Sequence, residues 1–140
     1  MALSKSSKLF CPVRQKEVAA NPEEIVRQRL LAHMIGPLGY PRGQIAVEKD
    51  FFSSGLQRRV DLVCFYPVKD FMKPLLLVEC KAVSLTIAAE NQLFGYNIQI
   101  GAPFLCLVNG VEIKMLWQEQ NSMKSISFLP TYAQLIEKLC

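Results

Sequence analysis

The stretch LLLVECKAV, Leu75 to Val83, decides how this sequence is interpreted. Its apolar and small residues predict a strand that is buried on both faces of a sheet. Glu79 and Lys81 interrupt this pattern, and a buried charge costs several kcal/mol unless a partner compensates it. Residues two apart on a strand face the same side, so Glu79 and Lys81 are expected to share one face while Cys80 faces the core. The stretch therefore predicts a strand whose two charges meet a partner.

Length and composition indicate a globular protein with one hydrophobic core. The chain has 140 residues, and its 51% hydrophobic content is too high for a disordered chain. It has no apolar run long enough to span a bilayer and no signal peptide, so we expect a cytoplasmic protein. The five cysteines lie far apart without a C-x-x-C pair, and His33 is the only histidine. This pattern argues against a zinc site and against a disulfide framework, and favours core packing for Cys64, Cys80 and Cys106.

The net charge of +4 lies in the first part of the chain, where residues 1–60 hold ten Lys and Arg against five Asp and Glu. Such a basic half can attract a polyanion, although a solvated surface with a flexible tail explains the charge at least as well. We expect an irregular basic arm over residues 1–20 and a single domain over residues 21–140.

Hydrophobic periodicity and turn residues predict an α/β fold. Asn21, Pro22 and Glu24 form an N-terminal capping pattern for a helix that ends near Gly36, and Thr86 caps a second helix. Asn109-Gly110 is a strong hairpin signal between two later strands. The predicted order is α-β-β-β-α-β-β-α, a mixed β-sheet flanked by helices, with ISFLP as a further edge strand.

Asp61 is the expected partner of the charged strand, because a hairpin closed by PVKDFMKP brings it beside Glu79. Two carboxylates about 4 Å apart repel by about 4 kcal/mol at an effective dielectric constant of 20. Lys81 relieves part of this repulsion and a divalent cation relieves more. Mg²⁺ binds through one or two carboxylates and suits phosphodiester hydrolysis by a metal-activated water, with Lys81 orienting that water or stabilising charge. The alternative is a buried ion pair that only fixes strand register.

Polar residues on both helices could reach this site. Glu24 and Arg27 fall on or near the apolar stripe of the first helix, so they either pair with each other or extend to the sheet. Taken alone, the helix favours N-terminal capping and dipole compensation as the role of Glu24, and this role can coexist with one at the site. Gln92 and Tyr96 share a face of the second helix and could bind a phosphate or a base, or brace Lys81. Taken alone, they are better explained as a solvated glutamine beside a packed tyrosine.

Several segments together carry a family resemblance: PEEIVRQRLL, GYP, RRVDLV, LLLVECKAV, NQLFGYN and APFLCLVNG. Over residues 20–120 the chain resembles the N-terminal nuclease domain of type I restriction enzyme R subunits, within the PD-(D/E)xK, restriction-endonuclease-like superfamily. The resemblance implies that Asp61 and Glu79 bind Mg²⁺ or Mn²⁺ and that Lys81 is catalytic. It further implies that Glu24 contributes to the site and that Gln92 and Tyr96 support cleavage and DNA contact. Residue 60 is Val where the family motif has Pro.

Two hypotheses follow. The first is a Mg²⁺-dependent nuclease that hydrolyses DNA, with Arg58, Arg59 and the basic arm (Lys5, Lys8, Arg14 and Lys16) contacting phosphates. The second is a catalytically inactive module that keeps the fold and binds nucleic acid or a partner protein. The sequence lacks a G-x-x-x-x-G-K-[ST] loop, so we expect a stand-alone domain without an ATP site. A homodimer is compatible with the apolar residues near the C-terminus.

Overall fold

A mixed six-stranded sheet organises the computed structural model, which describes residues 7–53 and 56–139. Its strands are β3 (Ile45–Ser53), β4 (Leu56–Val68), β5 (Phe71–Cys80), β6 (Phe104–Val108), β7 (Ile113–Glu119) and β8 (Ser122–Ile126). A separate hairpin precedes them, formed by β1 (Lys8–Cys11) and β2 (Lys16–Ala19). The helices are α1 (Pro22–Ile35), α2 (Ile87–Ile100) and α3 (Tyr132–Leu139), with a short 3₁₀ turn at Arg42–Gln44. No helix in the described ranges is both long and apolar enough to cross a membrane.

The strands of the main sheet lie side by side in chain order, from β3 to β8. Every neighbouring pair is antiparallel except β5 and β6, which are parallel. A parallel pair needs a long crossover connection, and α2 provides it. The α/β class and the mixed sheet predicted from the sequence are therefore confirmed.

Local capping chemistry sets the helix ends as predicted. The Asn21 side chain accepts a hydrogen bond from the Glu24 amide at 2.9 Å, and the Thr86 hydroxyl accepts one from the Ala89 amide at 3.1 Å. Gly101 ends α2 in the left-handed region with φ of 75°, a conformation that costs glycine little because it has no Cβ. These local interactions fix the start of α1 and both ends of α2, and with them the polar residues that the helices carry.

The sheet separates two apolar cores. Leu76 and Val78 of β5 belong to the core that contains side chains of α1 and α3, whereas Leu77 belongs to the core beneath α2. Residue alternation on a strand produces this division. The three cysteines predicted to pack inside, Cys64, Cys80 and Cys106, are all buried and unpaired.

Four expectations need correction. Residues 8–19 form a hairpin rather than an irregular arm, because Leu9, Cys11 and Val18 pack against the α1 core. Strand β5 begins at Phe71 and ends at Cys80, so Lys81 follows the strand. The hairpin predicted at Asn109-Gly110 is confirmed, but its connection has four residues, 109–112, and the Asn109 side chain closes it by accepting hydrogen bonds from two backbone amides. The edge strand β8 lies at Ser122–Ile126, mostly before ISFLP. The predicted turn SSGLQ includes residues 54 and 55, outside the described ranges.

Candidate functional site

Asp61 and Glu79 meet where β4 and β5 run antiparallel. Leu62 pairs with Val78, so the next step of the register places Asp61 across from Glu79. Both side chains are largely buried, with 16% and 15% exposure. The hairpin between these strands turns at residues 69–70, inside the segment predicted to close it. The structure thus brings together the two acids that the sequence analysis selected.

Two donors hold the Asp61 carboxylate, one on each oxygen. The Cys80 amide donates to Oδ2 at 2.7 Å, and the Arg27 guanidinium donates through Nη2 to Oδ1 at 3.1 Å. The first donor belongs to the backbone of the charged strand and the second to α1. The carboxylate is therefore fixed from two independent elements.

The negative charge of Glu79 is less well compensated than that of Asp61. Burial raises its pKa to about 8, and the adjacent Asp61 carboxylate contributes to this rise. Lys81 opposes it, with Nζ at 3.8 Å from Glu79 Oε1, but only in part. Near neutral pH the acid pair therefore favours either a retained proton or a bound cation.

Lys81 connects the two acids to polar side chains of α2. Its ammonium lies 3.5 Å from Gln92 Oε1, and the Gln92 amide donates to the Tyr96 hydroxyl at 2.9 Å. The Lys81 backbone amide donates to the Val108 carbonyl at 2.8 Å, which anchors the lysine to the end of β6. A cavity of about 650 Å³ opens beside Lys81 and Gln92, lined also by residues 83–84, 86, 88–89 and 91. Lysine, glutamine and tyrosine therefore form one hydrogen-bonded row at the mouth of a cavity.

Glu24 of α1 is connected to the site through Arg27, which bonds both Glu24 and Asp61. Its carboxylate accepts hydrogen bonds from Arg14 at 2.7 and 2.8 Å, from Arg27 at 2.9 Å and from Gln28 at 3.1 Å. Burial opposes ionisation of Glu24, but these bonds and the two positive charges lower its pKa overall. Glu24 and Arg27 therefore pair with each other and also reach the sheet, because Arg27 bonds Asp61.

Glu48, which the sequence did not indicate, and Arg14, which was expected to contact phosphate, also belong to this network. Glu48 lies opposite Asp61 in the β3–β4 register, at a φ of 54° that a non-glycine residue in a strand rarely adopts. Its carboxylate is 3.3 Å from Arg14 Nη1 and 3.8 Å from Arg27 Nη1. No spacing rule connects residues so far apart in the chain, so no sequence signal could have found them.

The cations expected to contact nucleic acid differ in their exposure and in whether an acid already binds them. Arg59 is 60% exposed and pairs with Asp50 at 3.0 Å, while Lys8 and Lys16 are exposed on the hairpin. The guanidinium of Arg14 is engaged by Glu24 and Glu48, so its expected phosphate contact is not available in this arrangement. The Arg58 side chain and Lys5 lie outside the described part of the chain.

The donor chemistry at Asp61 and Glu79 fits a hard divalent cation. Across residues 7–53 and 56–139, no group of three or more His, Cys, Asp and Glu side chains is arranged to hold a metal. Mg²⁺ nevertheless needs only one or two protein carboxylates, because water and phosphate oxygens complete its coordination. Two adjoining acids, one of them with a raised pKa, supply that number of ligands.

Comparison with known proteins identifies the family to which the chain is similar. Residues 22–131 match the sequence profile of the family described as type I restriction enzyme R protein N terminus. No curated protein matches the chain. Among solved structures, a fragment assigned as an HsdR subunit of a type I restriction enzyme from Vibrio vulnificus YJ016 is 22% identical, with a TM-score of 0.58. The alignment covers 81% of this chain and 24% of that one, so the chain spans about a quarter of that fragment and shares its fold.

Proposed function

Because the chain belongs to the family of type I restriction enzyme R protein N-termini, we propose that it is a cytoplasmic metal-dependent nuclease that hydrolyses DNA phosphodiester bonds. The observation that carries the proposal is the meeting of Asp61 and Glu79, with Lys81 at 3.8 Å from Glu79. A structural ion pair would need only one acid for this lysine. Asp61 is already paired with Arg27, so the uncompensated acid is Glu79, whose raised pKa Lys81 opposes only in part.

Asp61 and Glu79 are assigned to hold the ion, Mg²⁺ or Mn²⁺. When bound, the ion supplies Lewis acidity at the phosphoryl group and lowers the pKa of a water molecule. Glu79 would release its proton as the ion binds, because two neighbouring carboxylates favour a cation over separate ionisation. Lys81 would stabilise the negative charge that develops on the phosphoryl oxygens, as fixed cations do in a partly dry site.

The α2 side is assigned to the DNA strand. Gln92 accepts a hydrogen bond from the Lys81 ammonium at 3.5 Å and donates one to Tyr96, so these contacts link the lysine to α2 beside the cavity. The cavity of about 650 Å³ offers space for a nucleotide beside Lys81 and Gln92. Exposed cations, Lys8, Lys16 and Arg59, are assigned to more distant phosphates, and the sequence assigns Arg58 to them as well. The Arg59–Asp50 pair is exposed and therefore weak, so a phosphate can compete for the arginine.

The test compares cleavage of plasmid and single-stranded DNA with Mg²⁺ or Mn²⁺ by matched variants. We expect Glu79→Gln and Lys81→Met to lose most activity, because each removes one function and keeps nearly the same side-chain size. Lys124→Met is the control, since Lys124 is an exposed lysine on β8. Equal activity in all variants would remove Glu79 and Lys81 from the mechanism. Absence of cleavage with retained DNA binding would instead support the inactive binding module.

A further inference from the structure

We propose that Arg27 is a positioning residue that aims Asp61 at the metal ion, and that Arg14 of the β1–β2 hairpin holds Arg27 in place through Glu24. The inference rests on the proposed function, in which Asp61 is a metal ligand. It assigns a role to two arginines and to a hairpin that lies before the matched family region at residues 22–131.

The guanidinium of Arg27 bridges α1 and the sheet. Nη1 donates to Glu24 Oε1 at 2.9 Å, while Nη2 donates to Asp61 Oδ1 at 3.1 Å. Arg27 is only 5% exposed, and its planar fork allows little freedom once both bonds are made. With the Cys80 amide on Oδ2, the Asp61 carboxylate has a defined plane before any ion arrives. Each of its oxygens accepts one bond there and keeps a lone pair for a ligand.

Arg14 and Gln28 fix the position of Arg27 indirectly, through Glu24. Arg14 donates through Nη2 to both oxygens of Glu24, and Gln28 donates to Oε2. Glu24 is therefore held by α1 and by the hairpin at once, and cannot rotate away from Arg27 without breaking several bonds. Hydrogen bonds made by groups around the metal ligands commonly determine the orientation and metal affinity of ligating carboxylates.

The hairpin directs Arg14 by its own local structure. The turn between β1 and β2 closes through a hydrogen bond from the Gln15 amide to the Cys11 carbonyl at 2.7 Å. The Cys11 sulfur lies 3.4 Å from the Arg14 amide and 3.3 Å from its Nε, which aims the guanidinium at Glu24. Cys11 and Val18 are buried in the α1 core, so the hairpin is packed onto the domain.

The direction in which the affinity for a divalent ion changes when Arg27 is replaced distinguishes a positioning role from a purely electrostatic one. As a bare positive charge, Arg27 repels a divalent cation, so its removal would tighten ion binding. As a positioning residue, Arg27 orients a ligand, so its removal weakens ion binding. Arg27→Lys keeps the charge but offers one ammonium in place of two separated donors, and it should therefore weaken binding as well.

The experiment titrates Mn²⁺ into the full chain by calorimetry and by electron paramagnetic resonance. We expect Arg27→Gln and Arg27→Lys to raise the Kd for Mn²⁺ by about 10- to 100-fold, the range for lost hydrogen bonds around the metal ligands. Glu24→Gln and Arg14→Gln should raise it in the same direction but by less. Arg29→Gln is the matched control, because Arg29 is an exposed arginine on the same helix. Its Kd should equal that of the unsubstituted chain.

A second readout needs no metal. The amide proton of Cys80, which bonds Asp61, should shift in NMR spectra of Arg27→Lys towards its position in Asp61→Asn. Unchanged or tighter Mn²⁺ binding in folded Arg27 variants, or an unmoved Cys80 amide, would overturn the inference. If the Arg27 variants fail to fold, Arg14→Gln decides by the same two readouts. An unsubstituted chain that takes up no Mn²⁺ overturns the proposed function, while the Cys80 amide still decides whether Arg27 positions Asp61.

Discussion

Replacement of Glu79 by glutamine should change how the stability of the metal-free protein depends on pH. Burial and the neighbouring Asp61 raise the Glu79 pKa from the usual 4.5 to about 8 in the folded state. The folded state therefore binds the proton more tightly than the unfolded state does. The resulting stability is fully present below about pH 4.5 and is lost as the pH rises through about 8.

The size of this effect follows from the pKa difference. A difference of about 3.5 units, at about 1.4 kcal/mol per unit, gives an upper limit of about 5 kcal/mol. The 15% exposure of the side chain and local relaxation reduce this value, so we expect about 2 to 4 kcal/mol. Glutamine resembles the protonated acid and cannot ionise, so Glu79→Gln should not show this loss.

Urea unfolding in EDTA at about pH 5 and about pH 8.5 measures the difference. The unsubstituted chain should lose stability relative to Glu79→Gln between these pH values. Addition of Mg²⁺ at the higher pH should restore stability to the unsubstituted chain but not to Glu79→Gln, because the ion takes the place of the proton. Glu137→Gln is the control, since Glu137 is an exposed glutamate on α3. An identical pH dependence in all three proteins would refute the reasoning about Glu79.

Three further changes test the scaffold. Tyr40→Phe removes a buried hydrogen bond of 2.8 Å to the Pro130 carbonyl and should lower the free energy of unfolding by about 1 to 3 kcal/mol in urea. Leu77→Ala opens a cavity in the core beneath α2 and should lower it by about 2 to 5 kcal/mol, with an unchanged value contradicting the two-core arrangement. Asn109→Ala removes the hydrogen bond that the side-chain amide of Asn109 donates to the Val83 carbonyl. Backbone hydrogen exchange should therefore accelerate over residues 81–83 and not in α3.

The sequence was informative where structure depends on local periodicity. Alternation in β5 placed Cys80 in the core and Glu79 on the other face, and capping residues located both main helices. The hairpin between β4 and β5 then determined that Asp61 meets Glu79. These features depend on neighbouring residues or on one short connection, which is why patterns of spacing could predict them.

Features that depend on distant residues could not be predicted in the same way. Arg14 bonds Glu48 across 34 residues, and Arg27 bonds Asp61 across the same separation. The strands KLFC and KEVA have four residues each, too few to show a period against the charged background. The positive φ of Glu48 has no counterpart in residue type, because glutamate has no preference for that region.

The charges of the network around Asp61 and Glu79 are unevenly distributed. In the network among the described residues, the carboxylates are Glu24, Glu48, Asp61 and Glu79, whereas the cations are Arg14, Arg27 and Lys81. The two arginines lie on the α1 side, so the excess negative charge is left at Glu79, where Lys81 compensates it only in part. A bound divalent ion would reverse this single negative charge, and one phosphodiester would then neutralise it. Under the proposed function, the network with ionised Glu79 would therefore carry no net charge once both the metal ion and one phosphodiester were bound.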